Sequence, residues 1–354
     1  MHPDYPGQTG FTLVELMVGM AIGLFLTLII TQTMSIFETR GSATIGNADA
    51  QTNGGIALYT VGRDMQMAGF ALLPDVDSPL ECTSLDSGIA TMAEIAPALI
   101  TDGAAGGSDT LVVRYGVSAT GGAFTKITDP PTGSGDATVA NNLACQPNDI
   151  ALIVNGTSCY LRTVTGPGDL GVNAVSFTAL QLDDATPALP GANLACIRSW
   201  HQITYSVQDG NLWRKDERIE GGAPQTSDTP ILSGIVSLQA QYGISAIATS
   251  NQITQWVNAS AAPWNAPSLA DRNRIKAVRL AVIARNDKID PQDVTTACSS
   301  LTAAAPTGLC AWAGDATSPA PTVSLGGADW QRYRYRVFET IFPLRNVIWS
   351  KETL

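Results

Sequence analysis

A chain of 354 residues is long enough for one large domain or two modest ones with a real core. Charged residues make up 14% of it beside 33 Gly and 20 Pro, which suits a loop-rich β body and argues against a helical bundle. The formal charge of −11 disfavours direct binding to nucleic acid or to anionic lipid surfaces.

The first predicted element is a membrane helix. Residues Gly10 to Glu15 read Gly-Phe-Thr-Leu-Val-Glu, and Glu15 is the only charge between Phe11 and Phe37. Leu16 to Phe37 supplies 22 uncharged residues, about 33 Å of helix and enough to cross a bilayer. A carboxylate inside such a helix costs on the order of 2.5 to 3.5 kcal/mol, so a cationic partner is expected for Glu15. An ordinary secretory signal fits poorly, because its cleavage site would follow the apolar segment. The pattern resembles the class III signal of type IV prepilins and pseudopilins. That resemblance implies that prepilin peptidase removes a leader, Met1 to Gly10, and N-methylates Phe11. It further implies that Glu15 pairs with the Phe11 amine of a neighbouring subunit, and that the chain sits in the bacterial inner membrane with a periplasmic head before reaching the pilus or cell surface. The leader departs from the family habit, since it holds His2 and Asp4 but no Lys or Arg; orientation rests on the resemblance alone. The rival is a plain single-pass anchor whose Glu15 snorkels to the interface.

The helix is predicted to continue from Glu38 to Ala68, where Ile45, Ala48, Thr52, Ile56 and Tyr59 recur at steps of three and four and are expected to face the body. Gly54-Gly55 predicts a kink or break, and Gly69 and Pro74 the end. Beyond it the pattern turns to β. Ile150 to Val154 and Ser158 to Val164 flank Asn155-Gly156, and Ile203 to Val207 and Leu212 to Arg214 flank Asp209-Gly210, two hairpin signals. Further strands are predicted at Thr110 to Val117, Val175 to Leu180, Ile235 to Tyr242, Ala277 to Ala284 and Tyr333 to Ile341. Ser118 to Asn148 and Asp287 to Asp329 read as loops or insertions.

All six cysteines, Cys82, Cys145, Cys159, Cys196, Cys298 and Cys310, follow the anchor, where an exported body would oxidise them. Six allow 15 complete pairings; the short separation favours Cys298 with Cys310, and sequence does not choose among the rest. The absence of Cys-x-x-Cys and the presence of only His2 and His201 argue against a metal site, and His201, beside Trp200 and Ile203, reads as a structural histidine on a strand. Gly166-Pro-Gly-Asp-Leu-Gly171 has the spacing of a dinucleotide fingerprint, but its proline and the strand pattern after it make it a turn. Asp183-Asp184 reads as a solvated loop pair with no perturbing neighbour. Strand alternation would place Arg332, Arg334 and Arg336 on a polar face above a core of Tyr333 and Tyr335, with a DNA-binding strand and docking to an acidic neighbouring pilin as the rival readings.

Four segments are similar to the PilW-type minor pilins of type IV pili: Arg63 to Phe70, Ile235 to Ile244, Ile275 to Arg285 and Arg336 to Asn346. With the N-terminal signal they imply an α+β, pilin-like fold: leader 1–10, transmembrane helix 11–37, its periplasmic continuation 38–70, and a β-rich head 71–354 carrying the insertions 118–148 and 287–329. The implied function is a minor pilin, without catalysis or cofactor, that primes pilus assembly and supports motility, adhesion or DNA uptake. The implied partners are other minor pilins and the major pilin, prepilin peptidase, the inner-membrane assembly platform and a tip adhesin. The rivals are a type II secretion pseudopilin and a membrane-anchored adhesin or enzyme.

Overall fold

The computed structural model describes residues 10, 12–72, 82, 84–87, 89, 95–118, 123–129, 136–142, 145–166, 179–184 and 190–349. The leader before Gly10, Phe11, Pro74, residues 167–171 of the expected turn and residues 175–178 of the strand expected over Val175 to Leu180 lie outside the described residues.

One helix, α1 (Leu13–Met67), runs for 55 residues, roughly 80 Å. In chain order there follow β1 (Ser84–Ser87), β2 (Ala98–Thr101), β3 (Thr110–Val117), β4 (Phe124–Asp129), β5 (Asp136–Val139), β6 (Ile150–Asn155), β7 (Ser158–Gly166) and β8 (Ala179–Leu182). The second half comprises β9 (Asn193–Ile197), β10 (Ser199–Gln208), β11 (Asn211–Glu220), β12 (Ala223–Ser233), β13 (Ile235–Ser245), β14 (Ile253–Val257), α2 (Leu269–Arg272), β15 (Ile275–Arg285), β16 (Tyr335–Pro343) and α3 (Arg345–Trp349). The α+β architecture is the expected one: an apolar N-terminal helix whose second half packs on antiparallel sheet.

A four-stranded sheet ordered β14-β13-β15-β16 lies under the second half of α1. Strand alternation sends Leu238, Ala240, Tyr242, Val278, Leu280 and Val282 toward the helix and Ser237, Gln239, Gln241, Arg279 and Glu339 to the other face. The long segment between β15 and β16 covers that second face. It buries Leu309, Ala311, Trp312 and Ala320 against Ala281, and closes on itself through the Cys298–Cys310 disulfide. Gln241 Nε2 donates to Pro319 O at 2.7 Å and Trp256 N–H to Ser318 Oγ at 3.0 Å. This segment has no strand beyond one isolated bridge, Ala297 to Leu309, so the loop reading of 287–329 fits it.

A second sheet, β12-β11-β10-β3-β2, joins the first where Asp109 N–H donates to Leu238 O at 2.7 Å and Ile100 N–H to the Tyr242 hydroxyl at 2.6 Å. The remaining strands close on themselves: β7-β6-β9-β4-β5-β8 returns to β7, with antiparallel pairing throughout, and β1 lies parallel on β7. Ile127, Val139, Ile153, Val164, Leu180 and Leu194 fill this small barrel. The loop expected over 118–148 is therefore incorrect, for it holds β4 and β5; their short, Thr- and Asp-containing runs carry too little apolar alternation to stand out as strands. Inserted between the paired strands β3 and β10, the barrel sits beyond the C-terminal end of α1, where Gly116 N–H donates to Phe70 O at 2.8 Å. Cys145–Cys196 and Cys82–Cys159 staple it.

Both hairpins form. Gln208 pairs with Asn211 across Asp209 and Gly210, whose φ values are +50° and +72°. In the other the two-residue turn is Gly156-Thr157, one position later than the Asn-Gly pair suggested, because Asn155 pairs with Ser158 as the last strand residue.

Candidate functional site: the spine helix and its seat

At its start α1 is capped from within. Thr12 Oγ1 accepts the Glu15 N–H at 3.3 Å while Glu15 Oε2 accepts the Thr12 N–H at 2.9 Å, a reciprocal capping box. Glu15 is thus turned back on the helix start, against Thr12. Leu13–Ser35 has a mean hydropathy of 2.5 and none of it is covered by the head, so this helix is long and apolar enough to cross a membrane. Gly10 is exposed.

The seat of the helix differs from the sequence reading. Ile45, Ile56 and Tyr59 are 65%, 46% and 73% exposed, and Ala48 and Thr52 are exposed as well. The face against the head is instead made of small residues: Gly46, Ala50, Gly54, Ala57, Val61 and Gly62, followed by Met65 and Ala68. Small side chains let the helix axis come close to the sheet, and the rings of Phe338 and Phe342 on β16 occupy the space where Gly54 and Gly62 have no Cβ. The break expected at Gly54-Gly55 does not occur. The helix runs through the pair, since what glycine costs in helix propensity is offset by the aromatic contact it admits.

One charged side chain of α1 is buried in this seat. Asp64 is 3% exposed; its Oδ2 accepts the Tyr205 hydroxyl at 2.6 Å and Arg214 Nε at 3.0 Å. Arg214 reaches on to Asp216 Oδ2 at 3.5 Å, and Asp216 Oδ1 lies 3.2 Å from His201 Nδ1. Burial pushes the Asp216 carboxyl up, but the hydrogen bond and charge of His201, with Arg214 and Arg218, outweigh it and hold it below the usual carboxylate range. Burial, reinforced by the charge and hydrogen bond of Asp64, pushes the Tyr205 hydroxyl above its ordinary value. The His201 ring stacks on Tyr115 at 5.0 Å, so this histidine is a structural member of the sheet. Ser199 Oγ lies 3.3 Å from His201 Nε2, a line formally like a nucleophile, base and acid. Ser199 is only 7% exposed and Asp216 is shared with Arg214, so the line belongs to the clamp between helix and sheet.

Arg332 and Arg334 do not form a strand face. Arg332 lies in a short 3₁₀ turn and binds Asp290 O and Asp329 Oδ1, Arg334 pairs with Asp290 at 2.9 Å, and the strand begins only at Tyr335. The tyrosines are half-buried and do not form a core: Tyr333 lies against Arg285 and the Tyr335 hydroxyl donates to Trp330 O. Asp183 and Asp184 are exposed, and Asp183 Oδ1 accepts the Thr163 N–H. Among the described residues no three His, Cys, Asp or Glu side chains are placed to hold a metal ion.

The segments Ile235 to Ile244, Ile275 to Arg285 and Arg336 to Asn346, far apart in sequence, form β13, β15 and β16, and Arg63 to Phe70 is the end of the helix seated on them. The family described as type IV pilus-assembly protein W matches residues 203–346, which span β10 to the start of α3. The prokaryotic N-terminal methylation motif matches residues 6–31. A type IV-like pilin from Thermus thermophilus aligns over 85% of this chain and 96% of its own at 12% identity, with a TM-score of 0.33, a likeness too slight to support a structural conclusion. No curated protein matches the chain.

Proposed function

We propose that this chain, a minor pilin of the PilW type by its domain and its methylation motif, is cut after Gly10, methylated on Phe11 and built into a type IV pilus through α1. The observation that carries the reading is the uncovered apolar half of the helix. Leu13–Ser35 has no partner in its own head, so it needs lipid before assembly and neighbouring helices after it. Glu15 then meets the Phe11 amine of an adjacent subunit and exchanges its internal cap at Thr12 for a charged partner, which gives an incoming subunit its register. The head would be periplasmic while the chain waits in the inner membrane. Other minor pilins, the major pilin and the assembly platform would be its partners, and its work is structural, with no catalytic step.

Glu15→Ala tests this. The variant should be processed at Gly10 as the parent is, yet enter surface fibres at a small fraction of the parental level. Fibres carrying the variant at the normal level would refute the pairing.

A further inference from the structure

Arg285 closes β15 at the end of the head from which α1 leaves for the membrane. Its backbone N–H donates to Gly234 O at 2.7 Å, and its guanidinium carbon lies 4.6 Å from the centre of the Tyr333 ring. Its Nε is buried without a hydrogen-bond partner, and among the described residues no carboxylate pairs with it. Other arginines of the head are anchored differently: Arg214 on Asp64, Arg279 on Glu339, Arg162 on Asp86, Arg334 on Asp290. A half-buried guanidinium without an anion is costly, and a carboxylate held by two parallel hydrogen bonds is the group that best relieves it.

The space for such a group is present. Arg285 lines two cavities of about 260 Å³ each. One is shared with Asp49 and Asn53 of α1, Asp287 and Lys288; the other is bounded by Asp209, Gly210, Val236, Leu325 and Tyr335. The guanidinium Nη2 reaches toward the Asp209-Gly210 turn, within 4.0 Å of where a Gly210 side chain would begin, and so faces the second cavity. Both lie at the base of the head, the side that a subunit inserted beneath it in a fibre must meet. A neighbour of similar composition, with 31 acidic against 20 basic residues, presents carboxylates in excess.

We propose that the Arg285 cavity is a socket for a carboxylate side chain of an adjacent pilin subunit. The proposal rests on the assembly reading above and names the contact by which the base of this head engages its neighbour. Asp209 lines the same cavity and is the internal competitor; Asp49, Asp287 and Lys288 face the other side of Arg285.

The test places a photo-crosslinking amino acid at Leu325 of the full-length chain in cells that make pili, with Phe11 methylation read in the same cells. The expected product joins this chain to another pilin subunit at a peptide containing Asp or Glu. Arg285→Gln should lower its yield about tenfold, corresponding to about 1.4 kcal/mol, Arg285→Lys should keep part of it, and Arg285→Glu combined with Arg at the mapped carboxylate should restore it. A yield indifferent to Arg285→Gln, or a crosslink only to the Asp209 turn of the same chain, overturns the socket. Either result in a chain methylated on Phe11 leaves the assembly reading standing, whereas an uncut chain removes both.

Discussion

Asp64 is the residue on which the attachment of helix to head turns. Removing its carboxylate leaves the Tyr205 hydroxyl and the Arg214 guanidinium without their shared acceptor, so Asp64→Ala should cost about 2 to 4 kcal/mol. Denaturant unfolding of the detergent-solubilised chain measures it, and a loss below about 1 kcal/mol would mean that Arg214 is satisfied by Asp216 alone. Asp109 gives the protein a pH dependence of its own. Its oxygens accept the N–H groups of Gly103 and Ala240, but burial dominates and pushes the carboxyl up to about 7, with the Asp102 charge adding to the effect. The unfolded chain releases this proton near pH 4, so between about 4 and about 7 the folded state holds more protons than the unfolded state. Stability due to this group is therefore fully present below about pH 4, falls as the pH rises toward about 7 and is level above it. Melting temperatures of the parent and Asp109→Asn across that range check the sign: the parent should lose more stability on going from low to neutral pH than the variant does.

At the scale of elements, α1 and its sheet show what a sequence discloses. The apolar half of α1, β3, β10, β11, β13 and β15 are legible because apolar runs and turn residues mark them directly. The packing face of α1 was not read from the large apolar side chains, since Ile45, Ile56 and Tyr59 point outward while the contact uses residues too small to register as a hydrophobic stripe. The signal that was available is the recurrence of Gly46, Ala50, Gly54, Ala57 and Val61 at steps of three and four. A paired substitution tests this face. Gly54→Ala would drive a methyl group into the Phe338 ring and lift the helix, lowering stability by about 1 to 3 kcal/mol. Gly55→Ala meets no atom and should raise stability by up to about 1 kcal/mol through helix propensity. Equal effects of the two, read as shifts in melting temperature, would show that the helix does not seat on β16. The clamp residues Asp64, Tyr205 and Arg214 were missed for another reason: they lie 141 and 150 positions apart, and only pairing of β10 with β11 beneath the helix end brings them together.

Across the whole molecule, the two long insertions differ in kind. The segment 287–329 forms a third layer that hides a polar sheet face, with Trp312 over Arg279 at 4.7 Å, and it holds its shape through the Cys298–Cys310 link. Breaking that short loop by Cys298→Ser with Cys310→Ser should cost about 2 to 3 kcal/mol. It should also speed hydrogen exchange in this segment while the barrel, with its own two disulfides, keeps its protection; uniform loosening of both would argue against separate layers. The barrel was illegible because its closure depends on strands of four to nine residues whose partners lie on the far side of the inserted segment. It occupies the pole opposite the anchor. The uncovered apolar segment, the base, the seat and the distal barrel thus lie in that order along α1. The most direct measurement is mass spectrometry of sheared surface fibres and of the membrane fraction, searching for a peptide that begins at N-methylated Phe11. A minor pilin predicts that peptide in the fibres at low abundance relative to the major subunit. An intact Met1 terminus in every fraction would contradict the account.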